Sequence, residues 1–147
     1  MTANCVLAWG ITCTEHYKGV TPKSPVSITA SFPKLNTRSP ELRWVGSSDP
    51  TVSYDLIIHE ALAYSKAGSF RYIHGPKVVY QRDLKEPRYQ VATALKPGSK
   101  YFWTIRLRKG EVVSDWSSAQ DRSFFFLGFV YGWSASHGVP FNFETPS

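Results

Sequence analysis

Leu95 to Ser118 reads LKPGSKYFWTIRLRKGEVVSDWSS, an ordered series of turn, alternating run, turn and serine-flanked tryptophan. Pro97-Gly98 is turn chemistry, because proline presets φ and glycine accepts a backbone conformation that other residues resist. In the run that follows, Tyr101, Trp103, Ile105 and Leu107 share one face, and Phe102, Thr104, Arg106 and Arg108 share the other. A period of two over this length predicts a long β-strand with one face in a core. Lys109-Gly110 then predicts a turn into EVVSDW.

The same pattern recurs upstream. VSITASF at 26–32 alternates, and PELRWVG at 40–46 puts Leu42 and Trp44 on one face. After the turn SSDP, Val52, Tyr54, Leu56 and Ile58 fall on one side of a further run, Asp55 and His59 on the other, and Ile57 breaks the alternation. KVVYQRDL, RYQVATAL and the late FNFETP at 141–146 complete the set of short strands. LAYSKAGSFRYIHG is a connection that leaves room for a helical turn around 61–67, while the two prolines and the glycine of HYKGVTPKSP make 16–25 an extended linker. Short strands at regular spacing, without an amphipathic helix of useful length, predict an all-β, immunoglobulin-like antiparallel β-sandwich. A chain of 147 residues with 42% hydrophobic, 15% aromatic and 19% charged residues suits a single such domain. The expected division is an N-terminal tether or linker over 1–24 and the sandwich over 25–147, with an insertion at about 117–140.

From Pro25 to Pro146 the residues resemble a fibronectin type III domain. Leu95-x-Pro97-Gly98-x-x-Tyr101 looks like that family's tyrosine corner, in which the Tyr hydroxyl ties back to the backbone just upstream and the Leu packs beneath the turn. Trp44 stands where the family keeps its core tryptophan, VSYDLIIHE resembles the third strand, and FNFETP resembles the closing one. VSDWS, Val113 to Ser117, resembles half of the Trp-Ser-x-Trp-Ser box of cytokine receptor modules, with Val113 in place of the first Trp. That likeness implies that Arg106 and Arg108 stack on Trp116 as scaffold. These residues are therefore read as structural.

Between Trp116 and Phe141 the chain departs from the family with an aromatic insertion, SSAQDRSFFFLGFVYGWSASHGVP. Its first expected role is to continue a strand or hairpin that caps the core, since burial is where large apolar residues go. The sharper expectation is a recognition surface in which Phe125, Phe129, Tyr131 and Trp133 contact a protein partner, a glycan or the lipid boundary.

Cys5 and Cys13, the only cysteines, lie in the apolar N-terminal stretch CVLAWGITC. Each is a candidate for an N-terminal lipid of the bacterial lipoprotein type, and together they are candidates for a disulfide, which implies an oxidising compartment. A pair of buried free thiols is the third alternative. No histidine falls at metal-ligand spacing from either, so no metal and no cofactor are expected.

Catalytic constellations are thin. His16, His59, His74 and His137 are isolated in sequence, and GWSASHG lacks the strand–turn–helix setting of a nucleophile elbow. The net charge of +6 is dispersed, its densest group being Lys100, Arg106, Arg108 and Lys109, which does not suggest a nucleic-acid footprint. The resulting expectation is a non-enzymatic module, exported and tethered at a cell envelope or periplasm, that binds a protein partner. A carbohydrate-binding accessory module comes second and a hydrolase third.

Overall fold

The computed structural model describes residues 3–7, 11–15, 19–26, 31–63, 73–127, 130–133 and 137–147, with side chains for 19–26, 31–62, 73–118 and 140–147. Thirteen strands and no helix occur among these residues. They are β1 (Ala3–Leu7), β2 (Ile11–Glu15), β3 (Pro22–Ser24), β4 (Glu41–Trp44), β5 (Ser53–Ala63), β6 (Ile73–Leu84) and β7 (Arg88–Gln90). The remainder are β8 (Lys100–Lys109), β9 (Val112–Val113), β10 (Ala119–Leu127), β11 (Val130–Trp133), β12 (His137–Val139) and β13 (Phe141–Glu144).

Two antiparallel sheets pack face to face. One has the order β3-β4-β7; the other has the order β13-β8-β5-β6, with β9 added to β8. The core between them takes Leu42 and Trp44 from β4, then Tyr54, Leu56 and Ile58 from β5. Tyr101, Trp103 and Ile105 come from β8, and Phe141 and Phe143 from β13. For β4, β5 and β8 this is the inward set that the period-two patterning selects. Phe141 pairs with Trp103 and Phe143 with Tyr101 across the β13–β8 ladder, and the rings lie 5.1 and 5.5 Å apart. Such cross-strand aromatic pairs are a main unit of sheet stabilisation. Among the described residues the indole N–H groups of Trp44 and Trp103 are buried without an acceptor, a cost of about 1–3 kcal/mol each that the large buried ring areas offset.

The turn before β8 is tied at three points. The Lys96 amide donates to the Tyr101 hydroxyl at 3.1 Å, Leu95 is buried, and its amide donates to the Arg38 carbonyl. Gly98 has φ of +57°, and its amide donates to the Pro146 carbonyl, so the turn is also sewn to the chain's last residues.

Several local readings change. The segment read as a linker supplies β3 and the buried Val20, because Pro22 needs no amide donor on an edge strand. β5 runs on to Ala63, taking the first residues of the expected helical turn, because its ladder with β6 continues to Ala63↔Ile73; residues 64–72 lie outside the described residues. RYQVATAL pairs only over Arg88–Gln90, since Val91 turns into the core. Most of VSITASF lies outside the described residues, and its last residue, Phe32, is in no strand.

The insertion forms a third sheet together with the N-terminus, β1-β2-β10-β11 with β12 also on β10. The partner of β8 is thereby split. Before the insertion, β9 and the serines after it run beside the second half of β8; after it, β13 takes the first half.

Replacing Tyr101 by Phe removes the acceptor for the Lys96 amide and should cost about 1–2 kcal/mol. Gly98→Ala should cost a similar amount, about 1–2 kcal/mol, through its left-handed backbone. In urea titrations both should lower the midpoint with an unchanged slope; wild-type midpoints would refute the tie.

Candidate functional site

The outer face of the β6-β5-β8 sheet, away from the core, carries the chemistry-bearing side chains. Asp55 on β5 is fully buried, and its direct partner across the ladder is Arg106 on β8. Arg106 donates from Nε to Asp55 Oδ2 at 2.9 Å, and Arg108 donates from Nη2 to the same oxygen at 2.7 Å. The Asp83 amide donates to Oδ1 at 3.2 Å. Burial pushes the Asp55 carboxyl up, but the bonds from Arg108, Arg106 and the Asp83 amide outweigh it and lower the pKa to about 2. Asp55 in turn holds the Arg108 guanidinium above its ordinary value through their hydrogen bond.

Two guanidinium groups on one carboxylate leave positive charge over, and that charge meets an aromatic face. The Arg106 guanidinium carbon lies 4.3 Å from the centre of the Trp116 ring, a cation–π contact worth about 0.5–2 kcal/mol depending on desolvation. Trp116 is held there by its serines. Ser117 Oγ accepts from the Ile105 amide at 3.0 Å, and Ser114 Oγ accepts from the Leu107 amide at 2.9 Å. The Ser117 and Ser114 amides return the bonds to the Ile105 and Leu107 carbonyls. Serine hydroxyls thus substitute for backbone acceptors beside β8.

Beyond Trp116 opens a cleft of about 420 Å³. Ile57, His59, His74, Thr104, Trp116 and Pro140 line it, together with Ser117 and Ser118. The two imidazole centres are 5.0 Å apart. His59 Nδ1 lies 2.9 Å from the Gly75 carbonyl; a carbonyl can only accept, so Nδ1 donates this bond. Burial, and then the proximity of His59, push His74 below its ordinary value, which keeps it neutral at pH 7. No group of three His, Cys, Asp or Glu that could hold a metal ion comes together among the described residues. The Thr104 hydroxyl is committed to the Ser117 carbonyl at 2.9 Å. A second cleft, about 400 Å³, lies between β6 and residues 91–96, with the Glu60–Lys96 ion pair beside it at 2.6 Å.

Trp44, Leu95, Gly98 and Tyr101 take scaffold positions, and Pro97 stands in the turn between them. Arg106 stacks on Trp116, whereas Arg108 serves Asp55. The densest basic group is matched by acid, since Lys109 meets Asp49 and Lys100 approaches Glu144. Phe125 lies on β10 opposite Gly132, and Tyr131 and Trp133 lie on β11 opposite Phe126 and Phe124. Their side chains, and Phe129 altogether, are outside the described residues, as are the side chains of Cys5 and Cys13. Cys5 and Cys13 are backbone register partners on β1 and β2.

Sequence reasoning missed the hub at Asp55 and the meeting of His59 with His74. The first had a signal: Asp55 is the one charge in VSYDLII, and a charge inside a strand core demands a partner. The second had none, because the register shifts in the β5–β6 ladder set that meeting. Among the described residues no helix is long and apolar enough to cross a membrane. Comparison with protein-family models, characterised proteins and solved structures finds no match to this chain.

Asp55→Ala should destabilise the fold by about 3 kcal/mol, the lower end for breaking a buried pair, because both arginines still reach water. The pH dependence has a definite sign. The folded pKa lies below the ordinary 3.8, so the stabilisation is complete above about pH 4 and is lost as pH falls through about 2. Urea titrations across that range should show a smaller acid-dependent loss in Asp55→Asn than in wild type; equal losses would remove Asp55 from this role.

Proposed function

We propose that this chain is a non-catalytic, exported β-sandwich module of the fibronectin type III kind that binds a protein partner at a cell envelope. The strand orders β3-β4-β7 and β13-β8-β5-β6 and the Tyr101 hydroxyl tied to the Lys96 amide support the family resemblance. The observation that carries the functional reading is the state of the polar groups around the larger cleft. Of its polar lining, Thr104 and Ser117 are engaged in scaffold bonds, and beside them and Ser118 the cleft is lined by an indole, a proline, an isoleucine and two imidazoles. Aromatic and apolar groups set among satisfied polar neighbours make a recognition surface. Tyr80, 45% exposed, is the register partner of Ile57 on the neighbouring β6 and lines the second cleft.

A carbohydrate-binding accessory role is the second reading. Trp116 has one ring face against Arg106 and also borders the cleft, an arrangement suited to stacking on a sugar ring.

A photoreactive phenylalanine analogue at Tyr80 or His74, activated in the native host, should form a protein adduct that the same analogue at the exposed Val112 does not. Equal or absent adducts at all three positions would sink the protein-partner reading. Retention on a polysaccharide that Trp116→Ala abolishes, in protein that still unfolds cooperatively, would establish the second reading instead.

A further inference from the structure

We infer that Cys5 and Cys13 form a disulfide across the β1–β2 pair, and that this bond locks the hairpin on which the aromatic insertion is assembled. The inference rests on backbone placement. β1 and β2 pair antiparallel in one unbroken register, from Ala3↔Glu15 to Leu7↔Ile11, with Cys5↔Cys13 at its centre. Directly opposed residues of an antiparallel pair have Cα atoms about 4.5–5.5 Å apart, inside the roughly 4.4–6.8 Å that a disulfide spans. A slip of one residue would send the two positions to opposite faces, so the register is specific. These are also the only two cysteines in the chain.

The position of the pair gives it a consequence. β2 is held between two neighbours, since Cys13 is also the register partner of Arg122 on β10, and Thr12 that of Ser123. One residue further along, β10 begins its ladder with β11 at Phe124↔Trp133. The bond therefore fixes the strand that β10 is laid against, at the junction between the N-terminal hairpin and the aromatic strands.

The chemistry is thiol–disulfide exchange. The two thiols give up two protons and two electrons to an external disulfide, which leaves as two thiols after passing through a mixed disulfide with one cysteine. This rests on the export part of the proposed function, because such bonds persist in oxidising compartments. It competes with the lipid tether. An acylated cysteine becomes the first residue of a lipoprotein, so processing at Cys5 would remove Ala3 and Asn4 with their pairings, and processing at Cys13 would remove β1 altogether.

The full chain, produced in an oxidising compartment, should be treated with iodoacetamide without reductant and weighed intact. The expected product is lighter than the reduced chain by two hydrogens and takes no alkyl group, whereas prior reduction with dithiothreitol admits two. Hydrogen exchange should then show residues 119–127 losing protection on reduction while residues 100–109 of β8 keep theirs. Two alkylated thiols before reduction, an acyl mass on either cysteine, or unchanged exchange at 119–127 would each overturn the inference. Free thiols in the exported protein would leave the partner-binding reading intact. Failure to cross-link a partner at Tyr80 would leave the disulfide intact.

Discussion

A carboxylate with no access to water sits near the start of β5, and the outer face of the larger sheet is arranged around satisfying it. An unpaired buried charge is among the most costly features a small domain can carry. Asp55 therefore fixes the rotamers of Arg106 and Arg108 on the neighbouring strand and draws in the Asp83 amide from β6. Asp83 itself takes a left-handed φ of 62° at the end of that strand. One side chain thus ties β6, β5 and β8 together on the face where the core cannot. Arg106 passes the order outward by lying against Trp116, and Trp116 shapes the cleft. The shape of the cleft is downstream of a stability problem.

The inner face solves its problem differently, with interdigitated aromatic rings and few polar atoms. The two faces meet in β8, which is why that strand alternates so regularly. Its inward residues answer to the core, and its outward arginines, Arg106 and Arg108, answer to Asp55. Phe102 is outward in sequence yet fully buried, because Phe32 and the His74 ring pack against it. The outer face is therefore covered at one end and open at the other.

Legibility in the sequence followed the range of the interactions. Period-two patterning marked the inward residues of β4, β5 and β8, because alternation is a local consequence of the pleat; for β13 it marked only a strand. Pro97-Gly98 and Tyr101 were readable for the same reason, as turn and tie lie within seven residues of one another. The serines around Trp116 were visible, but their use as acceptors for β8 amides was not, since only tertiary approach reveals it. The cleft was the least legible part. It joins His59, His74, Trp116 and Pro140 from four separate stretches, and no spacing rule connects them.

The chain leaves the sandwich after Ser117, whose amide bonds to the Ile105 carbonyl, and re-enters at Phe141, paired with Trp103. Exit and entry thus stand beside the same strand, on either side of Thr104. Lengthening a segment between two anchored points costs only slowly growing entropy, and closely spaced ends are what make a graft tolerable to its host. The interval from 118 to 140 is therefore a place where lineages can exchange, shorten or expand sequence while the sandwich stays as it is, so divergence should concentrate there.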